Sequence, residues 1–135
     1  MINTDLLIKK ALEAREKAYA PYSSFYVGAA LLTSDGEIIG GANIENGSYG
    51  ATICAERSAF SAAISSGKRS FSAIAVVGGK KDDDISDFCP PCGICRQFMA
   101  EFCSPDFKII LYNGKEEKIS TLDSLLPDSF NLKER

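Results

Sequence analysis

The apolar run Ala73-Ile74-Ala75-Val76-Val77 is the part of the sequence that determines the fold class. A short, uninterrupted apolar segment of this kind predicts a central strand that is buried on both faces of a sheet. Residues 54–65 before it and 91–102 after it carry apolar side chains at helical spacing, and residues 107–112 read as another strand. Because a helical crossover joins parallel strands, we expect parallel neighbours in the middle of the sheet.

Turn signals at two places predict antiparallel hairpins at both ends of this sheet. Residues 26–33 and 37–44 are strand-like, and Ser34-Asp35-Gly36 separates them with residues typical of turns. Asn113-Gly114 lies between two extended runs and is the strongest short sequence signal for a tight hairpin. Hairpins of this kind require antiparallel strand pairs.

The remaining segments complete a single α/β domain over residues 1–135. Apolar residues at helical spacing predict an amphipathic helix over 4–19 that ends before Pro21, and a short helical pattern lies near 122–126. The element order is then α-β-β-α-β-α-β-β-α. One mixed sheet covered by helices is the simplest architecture for this order.

Size and charge exclude several classes of protein. A chain of 135 residues with 45% hydrophobic residues is long enough for one domain with its own core. No apolar run approaches the length of about 18 residues that a membrane span needs. The net charge of −3 gives no general basic surface for nucleic acid or an anionic membrane. The first five residues lack the features of a signal peptide, so we expect a cytoplasmic protein.

The histidine and cysteine counts are more specific. The chain has no histidine, which excludes Ser-His triads, Cys-His dyads and metals bound by histidine. It has five cysteines, an odd number, which favours a reducing compartment and cysteines used for metal binding or catalysis.

Three of the cysteines have a spacing typical of metal ligands. Cys92 and Cys95 form a C-x-x-C pair at a predicted helix start, and Cys54 lies at another helix start. Free backbone N–H groups and the helix dipole favour the thiolate form, which is the form that binds metal. Three protein ligands on Zn²⁺ leave a fourth position for water, as in catalytic zinc sites. A redox pair or two buried cysteines is the alternative for the C-x-x-C pair alone.

Two charged residues beside Cys54 strengthen the catalytic interpretation. Glu56 can take a proton from a metal-bound water and return it to a substrate. Arg57 is the nearest cation in the sequence that can compensate three thiolates on one Zn²⁺. Taken alone, Glu56 is better explained as a first-turn glutamate that the helix dipole favours, and Arg57 is equally typical of a solvated surface.

Five motifs together indicate a family. They are Tyr19-Ala20-Pro21-Tyr22-Ser23-x-Phe25, Val27-Gly28-Ala29-Ala30-Leu31, Asn43-Ile44-Glu45-Asn46, Cys54-Ala55-Glu56-Arg57 and Pro91-Cys92-Gly93-x-Cys95-Arg96-Gln97. They resemble cytidine deaminases of the small, homotetrameric, three-cysteine zinc type, and the resemblance extends from the first helix to Phe130. It implies a three-layer α-β-α fold with one mixed five-stranded sheet, a Zn²⁺ cofactor and a nucleoside substrate.

The resemblance also implies roles for individual residues. Cys54, Cys92 and Cys95 match the zinc ligands, and Glu56 matches the residue that moves protons during hydrolysis. Asn43 and Glu45 match the positions that bind the ribose hydroxyls, Phe25 a residue packed beside the nucleoside, and Ala55 a backbone N–H that binds the base carbonyl. Tyr49 and Phe130 match aromatic residues that neighbouring subunits of a homotetramer add to the pocket. The alternatives are that Asn43 caps a strand, Glu45 is solvated, Phe25 belongs to the core and Phe130 anchors the tail.

The function that the resemblance implies is hydrolytic deamination of cytidine and deoxycytidine in pyrimidine salvage. A deaminase of a cytosine nucleoside analogue such as blasticidin S has a similar cysteine motif and is an alternative. Phe130 is the main indication that favours cytidine over such an analogue. Cys89 precedes Cys92 in a C-x-x-C-x-x-C run, so a closed structural zinc site or an iron–sulfur cluster is a further alternative. Relatives that edit nucleic acids commonly use a histidine ligand and need a basic surface, and this sequence has neither.

Overall fold

Five strands form one mixed sheet in the order β2-β1-β3-β4-β5. The computed structural model describes residues 2–134, with Glu134 described by its backbone alone. The strands are β1 (Phe25–Thr33), β2 (Ile38–Ala42), β3 (Phe71–Lys80), β4 (Lys108–Tyr112) and β5 (Glu117–Thr121). The helices are α1 (Thr4–Arg15), α2 (Ala55–Ser65), α3 (Gly93–Phe102) and α4 (Leu122–Leu125), with single 3₁₀ turns at Tyr49–Ala51 and Leu132–Glu134. None of the described helices has the length and apolar composition needed to span a bilayer.

The strand directions confirm most of the predicted topology. The crossover through α3 makes β3 and β4 parallel, and both predicted hairpins, β1–β2 and β4–β5, are antiparallel. β1 and β3 are antiparallel as well, so the expected parallel pairing holds for one pair of neighbours in the described sheet. The reason is that β2 lies outside β1 at the edge, so the crossover through α2 returns the chain to the other side of β1.

Helices cover both faces of the sheet and confirm the predicted three-layer α/β architecture. One core lies between the sheet and α1, and it contains Leu7, Ala11, Ala75 and Val77. The larger core lies between the opposite face and the helices α2 and α3. Its buried side chains include Leu31, Phe60, Ile74, Val76, Met99 and Ile109.

Two glycines let helices approach the sheet closely. A Cβ atom at Gly41 of β2 would lie 2.4 Å from the backbone nitrogen of Ala59 and 2.6 Å from the carbonyl oxygen of Ala55. A Cβ atom at Gly28 of β1 would lie 2.1 Å from the carbonyl oxygen of Ala11 in α1. Because a side chain at Gly41 would push α2 away, this glycine fixes the position of the helix N-terminus that carries Cys54.

The first helix ends at Arg15, so the predicted end at residue 19 is wrong by four residues. Arg15 is 8% exposed, and its guanidinium donates hydrogen bonds to the carbonyl oxygens of Tyr26, Gly79 and Lys80 at 2.7–3.1 Å. The chain then leaves the helix, and Tyr19 pairs with Ile44 in an isolated bridge. These long-range contacts outweigh the local helical pattern.

Other boundaries also differ in detail from the prediction, and β2 ends at Ala42 rather than at Ile44. α3 begins at Gly93, with Cys92 as its N-cap, rather than at Pro91. The β4–β5 loop spans residues 113–116 rather than a two-residue turn, and Tyr112 pairs with Glu117. Asn113 stabilises this loop because its side-chain oxygen accepts hydrogen bonds from the backbone of residues 115 and 116.

Candidate active site

The three predicted cysteine ligands meet where α2 and α3 begin. Cys54 is the N-cap of α2, Cys92 is the N-cap of α3, and Cys95 lies in the first turn of α3. Their sulfur atoms all lie within 4.8 Å of one another, and those of Cys54 and Cys92 are 3.7 Å apart. Tetrahedral zinc with Zn–S bonds of about 2.3 Å requires sulfur atoms about 3.8 Å apart. The donor set therefore fits zinc in both chemistry and size.

The surroundings of the Cys54 sulfur favour negative charge, whereas the hydrogen bond to Cys54 and burial raise the pKa of the Cys95 thiol. Hydrogen bonding from Cys95, assisted by Arg57 and Cys92, lowers the pKa of the Cys54 thiol to about 5 despite partial burial. The Nη2 atom of Arg57 lies 3.7 Å from the Cys54 sulfur. Two helix N-termini add positive potential at the same point. The site is prepared for thiolate ligands, and metal binding displaces the remaining thiol protons.

Glu56 is buried in the first turn of α2, two residues after Cys54. Its side chain is 4% exposed, and burial raises its carboxyl pKa to about 7, with a smaller contribution from the charge of Cys54. A carboxyl group that exchanges its proton near neutral pH suits general acid–base chemistry. The structure thus places a titratable carboxyl group close enough to Cys54 and Cys95 for their charges to interact.

Cys89 does not join the cysteine cluster. Within residues 2–134, Cys54, Cys92 and Cys95 are the only group of three or more His, Cys, Asp or Glu ligand atoms close enough together to hold a metal ion. Burial raises the pKa of the Cys89 thiol to about 11. The geometry does not support a closed four-cysteine site.

Asn43 lies beside Cys54 because the segments around residues 44 and 53 pair. Ile44 and Ile53 exchange backbone hydrogen bonds at 2.9 and 3.0 Å in an antiparallel bridge. The side chain of Asn43 accepts a hydrogen bond from the backbone N–H of Val27 and donates one to the carbonyl of Phe25, both at 2.9 Å. Asn43 therefore fixes the start of β1, as its structural alternative predicts, at a point next to the metal site.

Glu45 is held by the loop before β1 rather than left in solvent. Its Oε1 atom accepts hydrogen bonds from the backbone N–H groups of Tyr22 and Ser23 at 2.9 and 3.1 Å, and its Oε2 atom accepts from the Ser23 hydroxyl. The Ser23 hydroxyl is the main reason that the Glu45 pKa lies below its ordinary value. Ser23 belongs to the first of the five motifs, but its role was not predicted, because its partner is 22 residues away and leaves no local pattern.

The other predicted site residues surround this region. Ala55 is buried as the first residue of α2, where backbone N–H groups have no acceptor within the helix. Tyr49 is 81% exposed, and with Glu45 it lines a cavity of about 290 Å³. Phe25 begins β1 and is partly exposed, so it is not simply a core residue. The carbonyl of Phe130 accepts a hydrogen bond from Gln97 of α3 at 3.3 Å.

Comparison with known families supports the zinc interpretation. Residues 1–111 match the model of the cytidine and deoxycytidylate deaminase zinc-binding region. The chain belongs to this deaminase family. The cysteine cluster accordingly supplies the zinc-binding region of a deaminase, with Cys54, Cys92 and Cys95 as the group able to hold the ion.

Several deaminases are similar to the chain over nearly its whole length. A cytidine deaminase of Halalkalibacterium halodurans is 53% identical over 131 residues, which cover 96% of this chain and 95% of the relative. The crystal structure of cytidine deaminase from Burkholderia pseudomallei superposes with a TM-score of 0.87 at 45% identity, covering 96% of this chain and 100% of that one.

A blasticidin-S deaminase is also similar to this deaminase. The protein from Bacillus cereus is 35% identical over 105 residues, which cover 76% of this chain and 74% of the relative. The match is shorter and less identical than the one to the H. halodurans cytidine deaminase.

Proposed function

We propose that this zinc deaminase converts cytidine and deoxycytidine to uridine and deoxyuridine, with water consumed and ammonia released. The observation that carries the proposal is the position of Glu56, a buried carboxyl group two residues after Cys54 and close enough to Cys54 and Cys95 for their charges to interact. The similarity to cytidine deaminases over 96% of the chain supports the choice of substrate.

The proposed mechanism assigns the proton transfers to Glu56. Zinc held by Cys54, Cys92 and Cys95 would supply the Lewis acidity that lowers the pKa of water for attack on C4 of cytosine. Glu56 accepts one proton from that water and delivers it to N3. It then takes the second proton from the new C4 hydroxyl and gives it to the departing amine as the C4–N4 bond breaks and C4=O forms, so one group serves as base and as acid. The backbone N–H of Ala55 binds the base carbonyl and holds the ring in place.

Hydrogen-bond capacity supports the proposal that both nucleosides are substrates. A carboxylate offers about four lone-pair positions, and partners among the described residues occupy three on Glu45, which leaves one on Oε2. Asn43 keeps one N–H after its bond to Phe25. One acceptor and one donor suit a single hydroxyl group. A clamp for the 3′-hydroxyl alone would accept cytidine and deoxycytidine alike.

Nucleosides are expected to react far faster than the free base. Free cytosine lacks the ribose, so the polar groups of Asn43 and Glu45 stay unpaired when it binds. Sites built to bind a hydroxyl discriminate strongly against analogues that lack it, and we expect kcat/KM for cytosine to be lower by at least about 10³-fold. The rate of loss of ultraviolet absorbance on mixing the enzyme with cytidine, deoxycytidine, cytosine or blasticidin S gives the kcat/KM values to be compared.

A matched pair of variants tests the ribose assignment. Glu45→Gln should narrow the advantage of cytidine over cytosine, whereas Glu37→Gln on the exposed β1–β2 turn should leave it unchanged. Turnover of cytosine comparable with that of cytidine would contradict the ribose clamp. Faster turnover of blasticidin S than of cytidine would show that the preferred substrate is the analogue rather than cytidine.

We also propose a homotetramer whose pockets are shared between subunits. The exposed side chains of Tyr22 and Tyr49 line the cavity beside Glu45, and the exposed residues Tyr19 and Ile44 pair in a bridge next to it. Apolar groups clustered at a surface are typical of an interaction site. In this assembly zinc, Glu56 and the ribose clamp come from one chain, while Tyr49 and Phe130 come from its neighbours.

Shared pockets predict that two inactive variants complement each other. Glu56→Ala damages the pocket of its own chain, whereas Phe130→Ala damages a pocket of a neighbour. When both are unfolded and refolded as a mixture, some pockets receive an intact Glu56 and an intact Phe130, so activity should exceed that of either variant. Mixing without subunit exchange is the control. A monomeric mass by light scattering, or no gain on verified mixed assembly, would contradict the shared site.

The proposed setting is pyrimidine salvage in the cytoplasm. All five cysteines lie within the described residues and are free thiols, which suits a reducing compartment. Conversion of a cytosine nucleoside supplies a uracil nucleoside to the reactions that reuse preformed pyrimidines.

A further inference from the structure

Cys89 and Phe25 meet on the face of the sheet that carries the active site. Along β1, Val27 and Ala29 pack in the core under α2 and α3, so strand alternation directs Phe25 to the same face. Gly78 follows Ile74 and Val76 of β3 in the same alternation and pairs with Val27. A Cβ atom at Gly78 would lie 2.7 Å from the Cys89 sulfur and 3.0 Å from Cε2 of Phe25. The two side chains therefore close over Gly78 and fill the place of its missing side chain.

The Cys89 thiol and the Phe25 ring together form an apolar wall over Gly78. This wall borders the reaction centre. Val27, the strand partner of Gly78, donates its backbone N–H to the side-chain oxygen of Asn43, which lies beside Cys54. Burial, followed by the charges of Glu56 and Cys54, raises the pKa of the Cys89 thiol. The thiol is near enough to both charges to be affected by them, yet it remains neutral.

The wall is apolar, and cytosine has one apolar edge. Its N3, O2 and exocyclic amine are polar, whereas C5–H and C6–H are not. The proposed chemistry presents C4 to the zinc site with N3 toward Glu56, so C5 lies on the other side of C4. A neutral thiol and a phenyl ring make the favourable surface for that edge, because polar atoms placed there would lose hydrogen bonds to water.

We propose that Cys89 is a specificity-determining residue that limits the size of the substituent on C5 of the cytosine ring. The inference rests on the proposed function and adds a substrate range to it. A thiol is smaller than a branched aliphatic side chain, so this chain leaves more room at C5 than one with valine there.

The test compares cytidine, 5-fluorocytidine and 5-methylcytidine, a series of increasing size at C5. For each enzyme, kcat/KM of the two analogues is divided by that of cytidine, so electronic effects of the substituent cancel between variants. One methyl group in an apolar pocket changes kcat/KM by about 10–200-fold. We expect Cys89→Val to lower the 5-methylcytidine ratio by at least about tenfold and Cys89→Ala to raise it, with smaller changes for fluorine.

Cys103→Ala is the matched control, because Cys103 is another partly buried thiol that packs against the same core but lies at the end of α3. Its ratios should equal those of the wild type. Zinc content and thermal unfolding identify variants that fail to fold. If cytidine is deaminated and both ratios stay within about twofold in the two Cys89 variants, the inference is overturned while the proposed function stands. If the wild type does not deaminate cytidine, the proposed function itself fails.

Discussion

Replacing Glu56 with glutamine is expected to lower kcat by about 10³-fold while zinc stays bound. The amide has the same shape but cannot carry a proton, and general acid–base catalysis contributes about 10²–10⁴-fold. In the proposed mechanism Glu56 serves several transfers, so the loss should lie toward the upper end of that range. Initial rates with cytidine and metal analysis of the purified variant measure the two quantities.

Glu13→Gln provides the control for this substitution. Glu13 is exposed on α1, on the opposite side of the sheet, where it forms an ion pair with Lys10. The same change of charge there should leave kcat and zinc content as in the wild type. A Glu56→Gln enzyme within about tenfold of wild-type kcat would remove Glu56 from the proton transfers.

Cys92→Ser is expected to abolish stoichiometric zinc binding and activity together. The Cys92 side chain is exposed, so its substitution costs little packing, whereas serine replaces a thiolate that zinc prefers. Metal analysis after gel filtration should find less than about one tenth of the wild-type zinc, since two remaining ligands cannot hold the ion. Circular dichroism shows whether the fold survives.

Cys89→Ser is the matched control for Cys92→Ser, since the two positions are three residues apart. It should retain one zinc per chain, because its sulfur lies outside the cluster. Equal loss of zinc from both variants would show that Cys89 is a fourth ligand and that the site is closed. Visible absorption from an iron–sulfur cluster in the wild type would have the same meaning.

Local patterns predicted most of the elements, the C-x-x-C pair and the helix start at Cys54. The apolar run 73–77 lies within a buried strand. That Cys54 meets Cys92 and Cys95 depends on the packing of α2 against α3, so the complete ligand set came from the family resemblance. The pairing of β1 with β3 was not predicted, because local sequence does not reveal which side of β1 a returning crossover takes.

Features that depend on distant contacts could not be predicted. The end of α1 is set by Arg15, whose carbonyl partners lie 11 to 68 residues away. The roles of Ser23 and Cys89 also depend on residues that are distant in the sequence. Ser23 orients Glu45. Cys89 contacts Gly78 only because the fold places the segment before α3 next to β3. Each is an ordinary residue in the sequence and gains its role from residues brought to it by the fold.

The strand order has a consequence for a chain that is still being synthesised. β1 acquires β2 as a neighbour almost at once, but its other neighbour, β3, begins only at Phe71. Until that strand leaves the ribosome, one edge of β1 exposes unpaired backbone groups that can pair with another chain. Cys54 and Glu56 also emerge well before Cys92 and Cys95. The complete zinc site can therefore form only late in biosynthesis, after the start of α3 has been translated.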